Sequence, residues 1–494
     1  MAEEVNAYEP VIGLEVHAEL QTKSKMFCGC AVVDSVTAEP NTFVCPVCVG
    51  FPGVLPVVNE KAVEFAMKVG LALNCQIAEV NVFARKNYFY PDLPKCYQIS
   101  QYELPLAVNG WMTIETPDGE RRIDVRRVHL EEDTGKLFHV DGHSLVDFNR
   151  SGVPLLEIVS EPDMHSVEEV KAYAAKLRAI LKYLGVNSGD MEKGVIRFEA
   201  NVSVRPAGTT ELRTRTEVKN LNSFRALVRS VEYEIERQSR TYAEGGTVDQ
   251  ETLGWDEARG ATLSQRSKEQ AHDYRYFPEP DLPPLEISRE WVEQIRAGLP
   301  ELPDAKRARF VRDFGLSRYD ASVLVAERNV AGYFEQSVEL AMGAPRHHPS
   351  PVVPKTISNW ITGELFGLMN QAGIEIEAMK VTPERLVELI GMVARGEINW
   401  NTGKIVLAEM FSSGESAPTI VQAQGLAQVS DEAAIAETVK RAIADNPGQV
   451  EQYLAGKETV AKWLMGQVMR AHGGKANPQV VQSLLDEALA GLKK

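Results

Sequence analysis

From Ile12 to Leu20 apolar and charged residues alternate: Ile12, Leu14, Val16, Ala18 and Leu20 on one side, Glu15, His17 and Glu19 on the other. Successive side chains of a strand point to opposite faces, so the pattern predicts a strand with one face on a core. Residues 196–205 repeat it, with Ile196, Phe198, Ala200, Val202 and Val204 inward and Arg197, Glu199, Asn201, Ser203 and Arg205 outward. Read as strands, 213–219 would align Arg213, Arg215, Glu217 and Lys219, and 125–133 would align Arg127, His129, Glu131 and Asp133. Charge is ordinary on the solvated face of an antiparallel sheet, and each strand taken singly reads that way. Such faces are usually rich in Thr, Lys and Ser, whereas Glu, His, Asn and Arg recur together here. Carboxylates with an imidazole suit a hard divalent cation such as Mg2+ or Mn2+. Arginines and a lysine nearby suit phosphates. If these strands share a sheet, their polar groups converge on a phosphate-and-metal cleft.

Four of the six cysteines fall within 21 residues, as Cys28-Gly29-Cys30 and, after fourteen residues, Cys45-Pro46-Val47-Cys48. The N-terminal stretch MAEEVNAYEP is acidic and has no apolar h-region, so a signal peptide is not expected and the cluster reads as a metal site rather than disulfides. Two thiolate pairs in tight turns can close a tetrahedral Zn2+ site, and an all-thiolate set is of the structural kind, with no open position for chemistry. Buried or redox-active thiols are the alternative. Cys75 and Cys96 read as ordinary buried and loop cysteines.

A chain of 494 residues with 44% hydrophobic composition is too long for one core, which predicts two to four domains. Strand patterns broken by turns dominate to about residue 290, and helical periodicity dominates after Leu299. Breaks fall in the proline-rich stretch 278–284 and in the Ser/Gly/Pro stretch 412–418. Ser166 with Glu169 forms a capping box for a helix with the stripe Val170, Tyr173, Leu177, Ile180, Leu181 and Leu184, stopped by Gly185. Another helix follows Ser223, with Phe224, Leu227, Val228, Val231 and Ile235 on one face. Residues 432–444 and 480–492 read as helices near the end, with a polar loop over 471–478. The fold class is therefore α+β.

The formal net charge of −16 argues against non-specific coating of nucleic acid, although 421–494 is locally neutral, with eight basic and eight acidic residues. No run of about 18 apolar residues occurs, so no membrane span and a cytoplasmic protein are expected. The sequence has no G-x-x-x-x-G-K-[ST], G-x-G-x-x-G or G-x-S-x-G motif and no Ser/Gly-rich amidase signature. If ATP is used, the site is an unusual one; if ammonia is needed, another chain must release it. The absence of an H-E-x-x-H helix speaks against a free-standing zinc hydrolase.

Long motifs then identify a family. They are 11–20 (VIGLEVHAEL), 86–95 (KNYFYPDLPK), 97–101 (YQISQ), 129–136 (HLEEDTGK), 147–158 (DFNRSGVPLLEI), 197–203 (RFEANVS), 217–224 (EVKNLNSF) and 473–478 (GGKANP). Over nearly its whole length the chain resembles the B subunits of the glutamine-dependent amidotransferases that correct misacylated Glu-tRNA(Gln) or Asp-tRNA(Asn). The cysteine cluster resembles the zinc-binding version of that family.

The resemblance implies an N-terminal mixed α/β cradle domain with antiparallel strands over residues 1–295, carrying the kinase and transamidase site and the zinc. An all-α helical domain over 296–415 and a helical, tRNA-binding tail domain over 416–494 would follow. ATP and Mg2+ are the implied cofactors, with structural Zn2+. The A subunit, an amidase, and a small C subunit would make up the rest of a heterotrimer, and misacylated tRNA is the substrate. Catalytic and Mg2+-binding roles would fall to Glu15, His17, Glu131, Glu157, Glu199 and Glu217, and Zn2+ to Cys28, Cys30, Cys45 and Cys48. Asn201, Arg213, Arg215 and Lys219 would contact phosphate, while Lys86 and Tyr88 would line the nucleotide or acceptor-end pocket. A non-catalytic tRNA-binding scaffold is the alternative.

Overall fold

The computed structural model describes residues 7–267, 274–343, 352–427, 432–473 and 476–492. Residues 1–6 of the acidic N-terminal stretch and Gly474 and Lys475 of the expected tail loop lie outside them. The chain divides into two compact units, one ending at Pro303 and the other beginning at Asp304.

Among the described residues, the first unit is built on sixteen strands: β1 (Tyr8–Glu19), β2 (Gln76–Ile77), β3 (Val80–Asn81), β4 (Ala84–Asn87), β5 (Tyr97–Ser100), β6 (Ala107–Thr116), β7 (Gly119–Glu132), β8 (Lys136–Val140), β9 (His143–Asp147), β10 (Pro154–Ser160), β11 (Ile196–Pro206), β12 (Thr216–Leu221), β13 (Glu251–Asp256), β14 (Ala261–Ser267), β15 (Phe277–Pro278) and β16 (Leu285–Glu286). Nine of them form one sheet in the order β14-β13-β12-β11-β1-β10-β7-β6-β2. Only β12 and β13 run parallel, so the sheet is mixed but mainly antiparallel.

Alternation sets the two faces. Ile12, Leu14, Val16 and Ala18 of β1 join Ile196, Phe198, Ala200 and Val202 of β11, Val128 and Leu130 of β7, and Leu156 and Ile158 of β10 in one core. Each such large side chain, fully buried, contributes about 1.5–3 kcal/mol. Helices α1 (Glu60–Ala72), α2 (Val167–Tyr183) and α3 (Phe224–Ala243) bury their apolar residues in that same core. Helix α2 starts at its expected cap: Ser166 Oγ accepts from the Glu169 amide at 3.1 Å. The box is not reciprocal, however. Glu169 accepts from the His165 amide and from Arg121, not from the Ser166 amide.

The buried face of α3 differs from the apolar stripe of its sequence. Glu234 and Gln238 are fully buried there and Val228 is not. Glu234 accepts from Thr216, Thr262 and Arg237, and Gln238 donates to Thr216 and to the Val202 carbonyl. Such satisfied polar networks rigidify what they join, and here they hold β12 by the residue preceding Glu217. The proline-rich stretch 278–284 does not end the first unit: β16 pairs with β3 beyond it, and α4 (Arg289–Ala297) follows.

The second unit is helical. One core runs from Phe310 to Val421 and includes Ala417 and Ile420. Another runs from Ile435 to Leu489, built on helices that include Glu432–Ala444 and Pro478–Leu492. A π-helical turn, Trp360–Leu365, interrupts the first of these regions and buries Trp360 against Trp400. Among the described residues no helix is long and apolar enough to cross a membrane.

Candidate functional site

Strand register brings the predicted residues together. Glu15 pairs with Glu199 across β1 and β11, His17 with Glu157 across β1 and β10, Glu157 with His129 across β10 and β7, and Asn201 with Glu217 across β11 and β12. Two groups result, His17 with Glu131 and Glu157, and Glu15 with Glu199 and Glu217, each with ligand atoms within 4.8 Å of one another. His17 joins them. Its Nε2 lies 3.4 Å from Glu157 and 3.7 Å from Glu131, and its Nδ1 lies 3.9 Å from Glu199. Lys219 Nζ bridges Glu199 and Glu217 at 3.0 and 3.2 Å, and Asn201 donates to Glu15 at 3.2 Å.

Crowding decides the protonation of this face. Burial, with Glu157 and Glu199 nearby, raises the Glu15 pKa. Burial raises that of Glu217 to about 7 despite Lys219. For His17 burial acts downward, but the hydrogen bond to Glu157 and the charges of Glu199, Glu157 and Glu131 raise it to about 9. Burial opposes ionisation of Glu157 too, yet His129 and His17 hold it well below the usual carboxylate range.

Without a cation, the folded state thus keeps protons that the unfolded chain releases: on Glu217 as pH rises from about 4.5 to 7 and on His17 from about 6.5 to 9. Stability falls wherever the native state binds more protons. The metal-free protein is therefore expected to lose stability from pH 5 to pH 9, by about 3 kcal/mol for each of the two groups. Saturating divalent cation is expected to flatten the decline. Chemical denaturation across this range checks both, and a flat metal-free profile would contradict the protonation pattern.

Sequence reasoning gave no role to His129 or Arg127, although alternation along β7 had placed both on this face. His129 is buried behind the carboxylates, its Nε2 3.4 Å from Glu157 and 3.8 Å from Glu131. Arg127 lies 3.8 Å from Glu157, and its buried Nε has no partner. Lys86 sits over the rings of Tyr274 and Tyr88 at 4.8 and 5.9 Å. Burial disfavours its charge, but Tyr276, Glu131 and Glu157 keep its pKa well above the ordinary value. Tyr274, Tyr276 and Tyr102 complete this aromatic wall, which no motif had singled out.

Arg213 and Arg215 are not brought to the carboxylates. Strand β12 begins only at Thr216, Arg213 stacks on Tyr242 and Tyr8, and Arg215 is exposed. A further charged group lies next to the cluster. Arg197 pairs with Asp133 at 3.0 Å and with Glu19 at 3.5 Å, and Arg150 lies 3.7 Å from Asp133.

The four cysteines gather with sulfurs within 4.8 Å of one another. Cys45 and Cys48 are 3.9 Å apart, close to the ~3.8 Å between thiolates on a tetrahedral zinc with Zn–S bonds of about 2.3 Å. All six cysteines are free thiols. The hydrogen bond from Cys28 chiefly lowers the Cys48 pKa to about 4, while burial raises that of Cys30 to about 11. The lobe is fastened to the turn between β9 and β10. Asn149 accepts from the Phe43 amide and donates to the Glu39 carbonyl, Asn41 accepts from the Phe148 amide, and Ser151 donates to the Cys48 carbonyl.

Comparison with known proteins gives the family. Residues 10–293 match the family described as the GatB/GatE catalytic domain, and residues 348–489 match the GatB domain. A protein of Moorella thermoacetica is 54% identical over 486 residues, covering 98% of this chain and 100% of its own. One of Caldanaerobacter subterraneus is 52% identical over 485 residues, and one of Persephonella marina 50% over 482, each covering 98% of this chain and 99% of its own. All three are named as the B subunit of aspartyl/glutamyl-tRNA(Asn/Gln) amidotransferase. With strand register, clustered carboxylates and near full-length identity in agreement, the chain belongs to the family of aspartyl/glutamyl-tRNA(Asn/Gln) amidotransferase B subunits.

Proposed function

We propose that the charged face of the large sheet carries out ATP-dependent amidation of a tRNA-borne carboxylate, as part of a carbon–nitrogen ligase that draws its nitrogen from glutamine. Family membership makes the chain one component of a multi-subunit, tRNA-dependent amidotransferase. The finer reading rests on one observation, the meeting of His17, Glu131 and Glu157 with Glu15, Glu199 and Glu217. Buried oxygen donors with one imidazole fit Mg2+, and the Nδ1 of His17, which makes no hydrogen bond, is a donor atom to spare. Bound there, Mg2+ would neutralise charge on a transferring phosphoryl group.

The chemistry has two steps. A side-chain carboxylate oxygen of Glu-tRNA(Gln) or Asp-tRNA(Asn) attacks the γ-phosphorus of ATP, and ADP leaves. Ammonia then adds to the acyl carbon of the resulting acyl phosphate, loses a proton and expels inorganic phosphate, giving Gln-tRNA(Gln) or Asn-tRNA(Asn). Phosphoryl transfer depends on positioning and charge neutralisation. Lys219, Arg127 and Lys86 supply positive charge around the carboxylates, and His129 orients Glu131 and Glu157. Asn201 orients Glu15, and Tyr88 with its aromatic neighbours walls the site on the Lys86 side. The partners are the A subunit, an amidase that would release ammonia, and a small C subunit.

The test uses the chain with both partners, ATP, Mg2+, an ammonium salt and misacylated Glu-tRNA(Gln). Gln-tRNA is expected to form only with ATP and to keep forming when the amidase is inactivated. Intact tRNA binding without ATP-dependent product would favour the scaffold reading.

A further inference from the structure

Lys25 is fully buried, and neither the phosphate nor the Mg2+ chemistry uses it. Its side chain has no exposed surface. The ammonium lies 3.5 Å from Cys48 Sγ and 3.3 Å from the Phe148 carbonyl oxygen, and among the described residues no carboxylate pairs with it. A buried cation without an anionic partner is strongly destabilising, so the fold tolerates Lys25 only if negative charge is supplied nearby. Among the described residues, the source within reach is the thiolate cluster. Four thiolates on a divalent ion more than neutralise it, leaving an anionic centre that is itself costly to bury.

We propose that Lys25 is the charge-balancing partner of the four-cysteine centre, a positioning residue that raises zinc affinity and ties the centre to the turn leading into β10. This rests on the reading of Cys28, Cys30, Cys45 and Cys48 as a Zn2+ site. The surrounding contacts fit the assignment. Gly152, at φ +83°, leaves no room to spare: a Cβ there would meet Cys48 Cβ at 3.3 Å and Lys25 Cδ at 3.6 Å. The Met26 amide donates to the Gly152 carbonyl at 2.7 Å. The lysine stem, the second cysteine pair and the 148–152 turn therefore form one packed unit. Glu157 follows five residues after that turn on the same strand run. Removing partners that surround a metal's own ligands commonly weakens binding by about 10–100-fold.

The experiment measures zinc affinity of the full chain by competition with a chromophoric chelator, for wild type, Lys25→Met and Lys25→Arg. Lys25→Met keeps length and packing but removes charge, and is expected to bind zinc about 10–100-fold more weakly. Lys25→Arg keeps the charge and is expected to retain most of the affinity. Cobalt substitution reads the geometry separately, and a tetrathiolate charge-transfer spectrum in Lys25→Met would show that the site still forms. Wild-type affinity in Lys25→Met overturns the proposal while leaving the zinc reading intact. Equal losses in both variants overturn it in favour of packing. If Lys25→Met does not fold, the Lys25→Arg affinity decides, and a loss of tenfold or more counts against the charge role. Wild-type protein that takes up no zinc sinks the metal reading, and this inference with it.

Discussion

His17→Ala is expected to lower ATP-dependent transamidation by about 10²–10³-fold, the loss typical when one preorganised electrostatic group is removed from an active site. Glutamine hydrolysis by the partner amidase is expected to continue. His17 is the one side chain that touches both carboxylate groups, reaching Glu157 and Glu131 through Nε2 and Glu199 through Nδ1. With a cation bound, alanine removes an imidazole ligand; without one, it removes the imidazolium that offsets the buried carboxylates, which then repel one another. The loss should therefore appear with ammonium as nitrogen source, and Mn2+ titration followed by electron paramagnetic resonance should show weaker binding. Transamidation at the wild-type rate in this variant would end the metal role of His17.

The second large effect concerns folding. Replacing Cys45 and Cys48 by serine is expected to strip zinc and lower the melting temperature by about 10 °C or more. Structural zinc contributes about 10 kcal/mol in small fingers, and about 1 kcal/mol corresponds to 2–4 °C in domains of 150–250 residues, so about half of that contribution suffices. The lobe is also held by Asn41, Asn149 and Ser151, which is why partial rather than complete unfolding is expected. Chelator treatment of wild type should reproduce the shift. Elemental analysis finding no zinc in the purified protein would refute the assignment.

Much of this site was legible because a strand's period of two is rigid. Once Leu14 and Val16 must be buried, Glu15 and His17 must share the other face, and the same holds for Phe198 against Glu199. What the pattern could not give was order. Nothing in residues 154–160 marks β10 as the neighbour of β1, because all seven of its residues are buried, and Glu157 reads from alternation alone as an interruption of an apolar run. The family motif supplied it. Arg213 and Arg215 lie off the strand for a local reason: pairing with β11 starts at Thr216, so the alternation of 213–219 stops being a strand before it reaches them. Glu234 was invisible because a carboxylate on a helix reads as solvent-facing until its partners on β12 and β14 are known. The pinning of the cysteine lobe by Asn41 and Asn149 joins segments some hundred residues apart, beyond any local pattern.

The central position of β1 has a consequence for the order of synthesis. Its two neighbours, β10 and β11, end at Ser160 and Pro206, so β1 is completed only by strands made much later. At translation rates of roughly 5–20 residues per second, β1 waits roughly 10–40 s for β11. For that interval a nascent chain presents an unpaired strand with an apolar face and a row of acids. Ribosome pausing or premature termination before residue 196 would release a polypeptide whose amino-terminal strand has an open edge, the form most prone to pair with another chain.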